Sequence, residues 1–414
     1  GSEQITLSSL KLKTQAVSLE RGESYELTVE LQPYNLTEDI TLTWSSTSSY
    51  FSFAVDENDQ THVTITALNS GSGTLVVRAD GKTISASCRI TVKEEFEVEG
   101  RYLMSYTGRG DENGVVEIPD DLGILYIYRY AFFGNEYIKK IIIPEGVEEV
   151  EEAAIYNCTN LEEVVFPESI KVVHRFAVAW NPELTTVTGS IPSIGELAFY
   201  NCPNLSTIDF SRTVFIEENA FFGSSSLERV DLSNVVYVGP YSFGLCPALV
   251  EVITGTNTVI SRYAFANCYG LTRIEINSSR IGSAAFIGCS ALKSVTFNQP
   301  VETLDYGAFY GCVALEEVIF RSSARVIDDL AFGNCISLTA FYIPAGVEDL
   351  GENAFGGCTA LERVVISKDA KLTSIGRGAF EGATSLTAFE LESGAKYLSV
   401  QDGILYDKGM REVK

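Results

Sequence analysis

The sequence predicts a mostly β chain in which a β-sandwich precedes a long solenoid of stacked repeats. A self-similar pattern returns every 21 to 25 residues between about residues 125 and 391. Short alternating strands separated by turn clusters fill residues 1–93. Although 45% of the residues are hydrophobic, no stretch approaches the roughly 18 consecutive apolar residues that a membrane-spanning helix needs.

The N-terminal segment alternates apolar and polar residues with the period of two that half-buried antiparallel strands require. Residues 25–31 and 63–67 have this pattern, and turn clusters such as residues 69–73 separate the strands. Many short strands at this spacing indicate a β-sandwich with Trp44 in its core. The order of strands and turns resembles that of bacterial Ig-like domains of the second type. The resemblance implies an Ig-like β-sandwich that acts as a spacer on a surface protein.

Each repeat contains an Ala-Phe pair or a close variant, and we number every unit from this first residue as position zero. Position +7 is always Leu or Ile, position +10 is Ile, Val or Phe, and position −4 is Ile, Val or Leu. Three apolar columns over so many units define a true repeat. The zero positions of the twelve units are Ala131, Ala154, Ala177, Ala198, Ala220, Ser242, Ala264, Ala285, Ala308, Ala331, Ala354 and Ala379.

A unit of this length cannot bury its own apolar face, so successive units are expected to stack and share one continuous core. Positions +9 to +13 predict a short strand, with +10 and +12 pointing inward and +9, +11 and +13 pointing outward. Parallel strands of successive units would pair into one long sheet, and twelve rungs at ~4.8 Å give an array of roughly 55–60 Å. The Ala-Phe segment would form the opposite wall.

Eight of the nine cysteines occupy position +4. A metal site is one interpretation, but zinc sites prefer closely spaced pairs of ligands, which one cysteine per coil does not supply. Disulfides between neighbouring coils are a second, although parallel side chains on stacked rungs point in the wrong direction for a bridge. Asn, Ser or Ala replaces cysteine in the other four units, which favours a third interpretation, a ladder of buried packing residues.

The motif Ile-x-x-x-Ala-Phe-x-x-Cys-x-x-Leu-x-x-Val-x-Ile-Pro, seen in residues 327–344 with Phe at the Val position, resembles the repeat of the BspA-like family of bacterial surface proteins. That family implies a leucine-rich-repeat solenoid of about twelve units with hairpin caps. The predicted segments are the Ig-like domain (1–93), a linker and N-terminal cap hairpin (94–124), the solenoid (125–392) and a C-terminal cap (393–414).

The resemblance also implies a protein that is secreted or held at the cell surface as an outer-membrane lipoprotein, with a role in adhesion to host proteins, other bacteria or glycans. Gly1-Ser2 resembles the remnant of a cleaved tag. A leader segment is therefore expected to have been trimmed, and a lipid anchor on it would be the one membrane attachment. We expect a monomer.

The chain is strongly acidic, with a formal net charge of −25. Residues 1–93 contain 7 basic and 11 acidic residues, so the remaining 23 basic and 44 acidic residues give residues 94–414 a net charge of −21. An acidic surface repels phosphate, which makes nucleic acid and anionic lipid poor partners. Solubility is the simplest reason for this charge.

The outward column at position +11 is the predicted binding face, because solenoids bind partners on such extended surfaces. Acidic residues in its middle would suit a basic partner, and three apolar residues further along would be exposed where water is expected. Ordinary β-propensity, or cover by a loop, is the alternative explanation of the apolar residues. The candidate partner-binding residues are Asp209, Asp231, Glu275, Thr296, Ile319, Tyr342 and Val365.

Enzyme chemistry finds little support in the sequence, which has two histidines, His62 and His174, in different domains and without a paired nucleophile. We predict no catalytic residue, no metal and no cofactor. Arg109-Gly110-Asp111 is an RGD tripeptide in the predicted N-terminal cap hairpin, but turns favour Gly and Asp in any protein. The first hypothesis is a non-enzymatic, adhesin-like scaffold for protein recognition through the concave sheet. A glycan-binding protein of a polysaccharide-capture system is the alternative.

Overall fold

The computed structural model describes residues 4–401 and 404–407. Two compact units divide the chain, Gly1–Val116 and Glu117–Lys414. No helix in the described part is long and apolar enough to cross a bilayer. The strands up to the boundary are β1 (Ser9–Leu12), β2 (Ala16–Leu19), β3 (Ser24–Gln32), β4 (Leu42–Ser45), β5 (Phe51–Val55), β6 (His62–Ala67), β7 (Gly71–Ala79), β8 (Ser85–Val92), β9 (Phe96–Glu99), β10 (Tyr102–Tyr106) and β11 (Val115–Glu117).

The first unit contains two four-stranded sheets, in the orders β1-β3-β6-β5 and β2-β8-β7-β4. Side chains from both sheets share one apolar core, in which Ile65, Leu75 and Ile90 are fully buried. This is the predicted β-sandwich, and Trp44 is buried in it as expected, with its Nε1 donating to the Gln60 carbonyl at 2.9 Å. The relation to bacterial Ig-like domains stays a prediction. After the sandwich, β9 and β10 form an antiparallel hairpin, and its role as a cap also stays a prediction.

The second unit begins with a 3-10 turn at Asp120–Leu122 and continues as pairs of short strands, one pair for each repeat. These strands are β12 (Tyr126–Ile127), β13 (Lys140–Ile142), β14 (Glu149–Val150), β15 (Glu163–Val165), β16 (Val172–Val173), β17 (Thr186–Thr188), β18 (Ser193–Ile194), β19 (Thr207–Ile208), β20 (Phe215–Ile216), β21 (Arg229–Leu232), β22 (Tyr237–Val238), β23 (Glu251–Thr254), β24 (Val259–Ile260), β25 (Arg273–Ile276), β26 (Arg280–Ile281), β27 (Ser294–Phe297), β28 (Val301–Leu304), β29 (Glu317–Phe320), β30 (Ala324–Ile327), β31 (Ala340–Ile343), β32 (Asp349–Leu350), β33 (Arg363–Ile366), β34 (Ser374–Ile375), β35 (Ala388–Leu391), β36 (Leu398–Gln401) and β37 (Ile404–Asp407).

The odd-numbered strands from β13 to β35 all begin at position +9, which confirms the predicted strand in all twelve units. Their burial follows the predicted alternation, as in β21 and β31, where the second and fourth residues are buried. The prediction of one long sheet through these strands is wrong. They divide into three sheets, with breaks between β19 and β21 and between β29 and β31.

Asp209, the residue that follows β19, lies at the first break. Its carboxylate accepts hydrogen bonds from the backbone N–H and the hydroxyl of Ser211, both at 2.8 Å. The same turn at Asp231 and Ser233 does not interrupt β21, which pairs with β23 as far as Leu232, so this turn alone does not account for the break.

A second column of parallel strands runs through every unit at positions −5 and −4. Strands β12 to β34, taking the even numbers, pair in sequence order without a break. Each contributes one inward residue, such as Ile260 or Leu304, to the core. The apolar residue at −4 is therefore the inward residue of a strand that is two residues long in every unit except those of β28 and β30.

Two left-handed residues shape the Ala-Phe wall of each unit, because positions −1 and +3 have positive φ in all twelve units. Between them, the backbone hydrogen-bonds from coil to coil, as where the Phe265 N–H donates to the Ala285 carbonyl at 2.8 Å. The phenylalanines at +1 point inward and stack. From Phe199 to Phe380, successive ring centroids of this column lie 5.1 to 5.5 Å apart.

All eight cysteines at +4 are buried, and none forms a disulfide. Each thiol donates to the carbonyl oxygen of the +1 residue in the preceding coil, at 3.1 to 3.4 Å. Asn181 replaces cysteine in the third unit and donates to the equivalent carbonyl, that of Ile155, at 2.8 Å. The column is thus a ladder of packing residues that also join adjacent coils.

The predicted C-terminal cap corresponds to the antiparallel hairpin of β36 and β37. Leu398 and Leu405 are buried in it. Residues 402, 403 and 408–414 of the predicted cap lie outside the described residues.

Candidate protein-binding face

The outward residues at +11 form an aligned row on the sheet of β21, β23, β25, β27 and β29. Asp231, Ile253, Glu275, Thr296 and Ile319 are successive Cα partners across these strands. Parallel pairing in register holds their side chains about 4.8 Å apart on one face. The sequence placed these residues correctly relative to one another.

Two further candidates, Tyr342 and Val365, lie on the next sheet and are also direct partners. Asp209 follows β19 and belongs to neither of these two sheets. The seven candidates therefore occupy one column of the repeat but are not all on one sheet. Whether they contact a partner stays a prediction.

Hydrogen bonds hold the two aspartates in place. Asp231 accepts from the backbone N–H of Ser233 at 3.0 Å and from its hydroxyl, as Asp209 does with Ser211. Both carboxylates are exposed. The same Asp-x-Ser turn therefore presents a negative charge at two neighbouring coils.

Glu275 forms an ion pair with Arg273 on the same strand. Hydrogen bonds from Arg273 and then from Asn298 lower the pKa of Glu275, so it is ionised at neutral pH. Arg229 pairs in the same way with Glu251 on the neighbouring strand. The acidic middle predicted from the sequence is thus interleaved with arginines.

Thr296 corrects one expectation, because it is only 6% exposed although +11 was predicted to face water. Its partners on the two sides are Glu275 and Ile319. Thr296 therefore offers little surface of its own.

Apolar side chains remain open on this face. Ile319 and Tyr342 are 36% and 37% exposed, and Val365 is half-buried. The Tyr342 hydroxyl donates to Glu392 Oε1 at 3.0 Å, which fixes the ring. Sequence reasoning did not select Val250 and Ile253, which are 45% and 41% exposed and lie beside the arginine pairs. Their outward positions, +8 and +11, were the signal that could have identified them.

The RGD tripeptide lies between β10 and β11. Asp111 closes its own turn, with Oδ1 accepting from the backbone N–H groups of Asn113 at 2.9 Å and Val115 at 2.8 Å. Arg109 Nε lies 3.8 Å from Glu20 Oε2. These contacts explain the tripeptide as a turn, and integrin binding stays untested.

Within residues 4–401 and 404–407, no three His, Cys, Asp or Glu residues come together in an arrangement that could hold a metal ion. His174 Nε2 contacts Glu149 Oε2 of the preceding coil at 2.7 Å. This contact is one more link between coils on the solenoid surface.

Comparison with known families gives one match that covers most of the repeats. A family described as "BspA type Leucine rich repeat region (6 copies)" matches residues 115–214, 176–290 and 279–401. No curated protein matches the chain.

Several solved structures are similar to the chain at low identity. A leucine-rich repeat protein from Bacteroides ovatus is 24% identical, with a TM-score of 0.43 over 75% of this chain and 97% of that one. A leucine-rich cell surface protein from Faecalibacterium prausnitzii is 21% identical, with a TM-score of 0.37 over 86% and 96% of the two chains. The pneumococcal vaccine antigen PcpA is 17% identical, with a TM-score of 0.40 over 76% and 77%.

Proposed function

Because this chain belongs to the BspA-type leucine-rich-repeat family, we propose that it is a non-enzymatic scaffold that binds a protein partner. The contact surface is the outward face of strands β21 to β33 at positions +8 to +11. The repeat supports this role because it presents side chains at fixed spacing on a rigid sheet. The cell surface or the surrounding medium is the proposed location, with a lipid anchor as the means of attachment.

One observation carries the proposal, which is that Val250, Ile253, Ile319 and Tyr342 stay exposed within a surface of paired charges. Interfaces combine an apolar centre with a polar rim, and arginine and tyrosine are enriched in them. Arg229 and Arg273 lie in this surface, each paired with a glutamate. Such a surface suits a folded protein better than a nucleic acid.

The test measures binding to a panel of purified extracellular-matrix proteins by surface plasmon resonance, with the whole chain immobilised. Ile253→Ser and Tyr342→Ala should each weaken binding at least tenfold, which corresponds to about 1.4 kcal/mol. Ile336→Ser is the matched control, because Ile336 is 46% exposed but lies outside this face. Equal binding by all three variants would contradict the placement of the site.

A basic partner is the second part of the proposal, resting on the exposed carboxylates of Asp209 and Asp231. The double variant D209K/D231K should slow association with such a partner, and added salt should slow association of the unaltered chain. Association that is unchanged by both would mean that the partner is not selected by its charge.

A further inference from the structure

A strip of aromatic side chains follows the Ala-Phe wall of the first seven units, away from the proposed protein-binding face. Its rings stand at positions −1, +2 and +3, outside the buried phenylalanine column. Neighbouring rings contact one another from coil to coil. Phe133 stacks on Tyr156, Tyr200 on Phe222 and Tyr241 on Tyr263, with centroids 5.7, 5.8 and 4.6 Å apart.

The strip is open to solvent. Tyr130, Phe133 and Trp180 are 56%, 54% and 43% exposed, and Tyr200 and Tyr241 are half-buried. A contiguous exposed apolar surface of this kind marks a binding site more often than isolated exposed residues do. The stacked rings support one another, so the surface is already formed without a ligand.

The fold itself does not require these rings. Position −1 carries Gly307, Asn353 and Gly378 in later units and keeps the same left-handed backbone. Phe176 and Tyr241, also at −1, have φ of 54° and 53°. Ala153, Leu197 and Leu330 hold the same conformation at this position, so the backbone does not select an aromatic side chain. The rings are therefore not explained by the turn that carries them.

Amides and charged groups lie beside the rings. Asn157 and Asn201 at +3 lie next to the rings of Tyr156 and Tyr200 in the chain and are partly exposed. Arg175 is placed between two carboxylates, 3.7 Å from Glu152 and 3.4 Å from Glu196. The strip thus offers rings and amide groups beside an excess of negative charge.

We propose that this aromatic strip binds an uncharged, linear polysaccharide, a function separate from the recognition of a protein on the strand face. The apolar C–H face of a pyranose packs on an aromatic ring, and amides and phenol groups bond its hydroxyls. Each β-linked hexose lengthens a polysaccharide chain by about the distance between adjacent coils of the solenoid, so successive sugars meet successive rings. An acidic polysaccharide is disfavoured by the net charge of the chain, −25.

Trp180 provides a direct readout, because the chain has two tryptophans and the other, Trp44, is buried in the first unit. The whole protein is titrated with laminarin, xyloglucan and galactomannan, whose backbones are β-linked, with α-mannan as the comparison for linkage and heparin as the comparison for charge. At least one of the three β-linked polysaccharides should shift tryptophan emission and retard the protein in affinity gel electrophoresis. Heparin should do neither, and α-mannan should bind more weakly.

Trp180→Asn and Tyr241→Asn test the site with substitutions that the fold already accepts, because Asn201 and Asn219 occupy the equivalent positions with positive φ. Both variants should fold with equal or higher stability and lose at least tenfold in affinity for the polysaccharide. Trp180→Asn should also abolish the change in emission. Tyr342→Ala, on the strand face, and Tyr306→Ser, on a later unit, should bind normally.

Three results would overturn the proposal. These are no binding of any neutral polysaccharide in the panel, equal binding by the two strip variants, or loss of a protein partner in the strip variants without any glycan binding. None of these results affects the test of the protein-binding face with Ile253→Ser. Failure of the polysaccharide proposal can therefore be distinguished from failure of the proposed protein-binding function.

Discussion

At the scale of the residue, the thiol column explains why cysteine recurs at +4. The side chain must be small, because it lies in the tight turn after the Ala-Phe pair. In the cysteine units it also donates to the +1 carbonyl of the preceding coil, although Ala383 at +4 shows that a donor is not essential. A thiol is a weak donor that costs little to bury, and so it suits this position. Ser224 also occupies +4, and its buried hydroxyl has no hydrogen-bond partner.

The column of cysteines at +4 predicts that the protein loses stability at alkaline pH. Burial raises the pKa of Cys158, Cys202, Cys246 and Cys358 to about 12, from 9.0 when unperturbed. Between pH 9 and 12 the folded protein keeps thiol protons that the unfolded chain releases. The stability that the buried thiols contribute is therefore complete below pH 9 and is lost as the pH rises towards 12. In that range, each thiol lowers the free energy of unfolding by up to about 1.4 kcal/mol per pH unit. Urea unfolding at pH 8, 9, 10 and 11 measures the slope.

The variant Cys358→Asn is the control for this prediction, because asparagine already serves at +4 as Asn181. For this variant, the free energy of unfolding should fall less steeply with pH, by the contribution of one thiol. A slope identical to that of the unaltered chain would mean that other groups cause the loss of stability at alkaline pH.

Thr296 marks the limit of residue-level prediction from the sequence. The period of the repeat correctly placed it at +11 on an outward strand. Its burial at 6% exposure is not visible in the period of the repeat. A contact between Thr296 and a partner stays a prediction.

At the scale of the element, the phenylalanine column joins the coils into one cooperative core. Phe265 stacks between Phe243 and Phe286, with ring centroids 5.3 and 5.2 Å away, and all three are fully buried. In a repeat array, stability is the sum of each unit and its contacts with the two neighbours. Loss of one ring therefore weakens two interfaces at once.

Phe265→Ala should cost about 3–5 kcal/mol, because it leaves a cavity that the stacked coils cannot close. Amide hydrogen exchange should show lost protection centred on the seventh unit and falling off on both sides. Phe265→Ile is the matched control, since Ile155 occupies +1 in the second unit, and it should cost less than half as much. Uniform loss of protection over all twelve units would contradict the nearest-neighbour picture.

The sequence predicted one set of strands and overlooked the other. Positions +9 to +13 contain a recognisable alternation, whereas the strands at −5 and −4 are mostly two residues long, as in Val259–Ile260. A strand of two residues is too short to show an alternation of apolar and polar residues. These strands form a sheet only because they pair from coil to coil. The break after β19 was equally invisible, because the alternation of inward and outward residues continues through Ile208, Asp209 and Phe210. The aromatic strip was missed because its rings are spread over three positions of the repeat, −1, +2 and +3, and form no single column in the sequence.

At the scale of the whole molecule, charged residues have two opposing effects on stability. Ion pairs join adjacent coils, such as Lys140 with Glu163 at 2.8 Å and Lys171 with Glu148 at 2.8 Å. The excess of acid nevertheless leaves a net charge of −25. Exposed ion pairs contribute about 0–1 kcal/mol each. Self-repulsion acts over all the unpaired acids at once and destabilises the folded state.

Salt screens both effects, and we expect the repulsion to dominate. Raising NaCl from 10 to 300 mM shortens the Debye length from about 30 Å to below 8 Å, so repulsion between coils is lost before contact pairs at 2.8 Å weaken. The Tm followed by circular dichroism should rise by about 2–4 °C, which is the shift given by a stability change of about 1 kcal/mol or slightly more in a domain of this size. Glu316→Gln, which removes one exposed negative charge, should raise the Tm at 10 mM NaCl and reduce the further gain with salt. A Tm that falls with added NaCl would mean that the ion pairs between coils outweigh the repulsion.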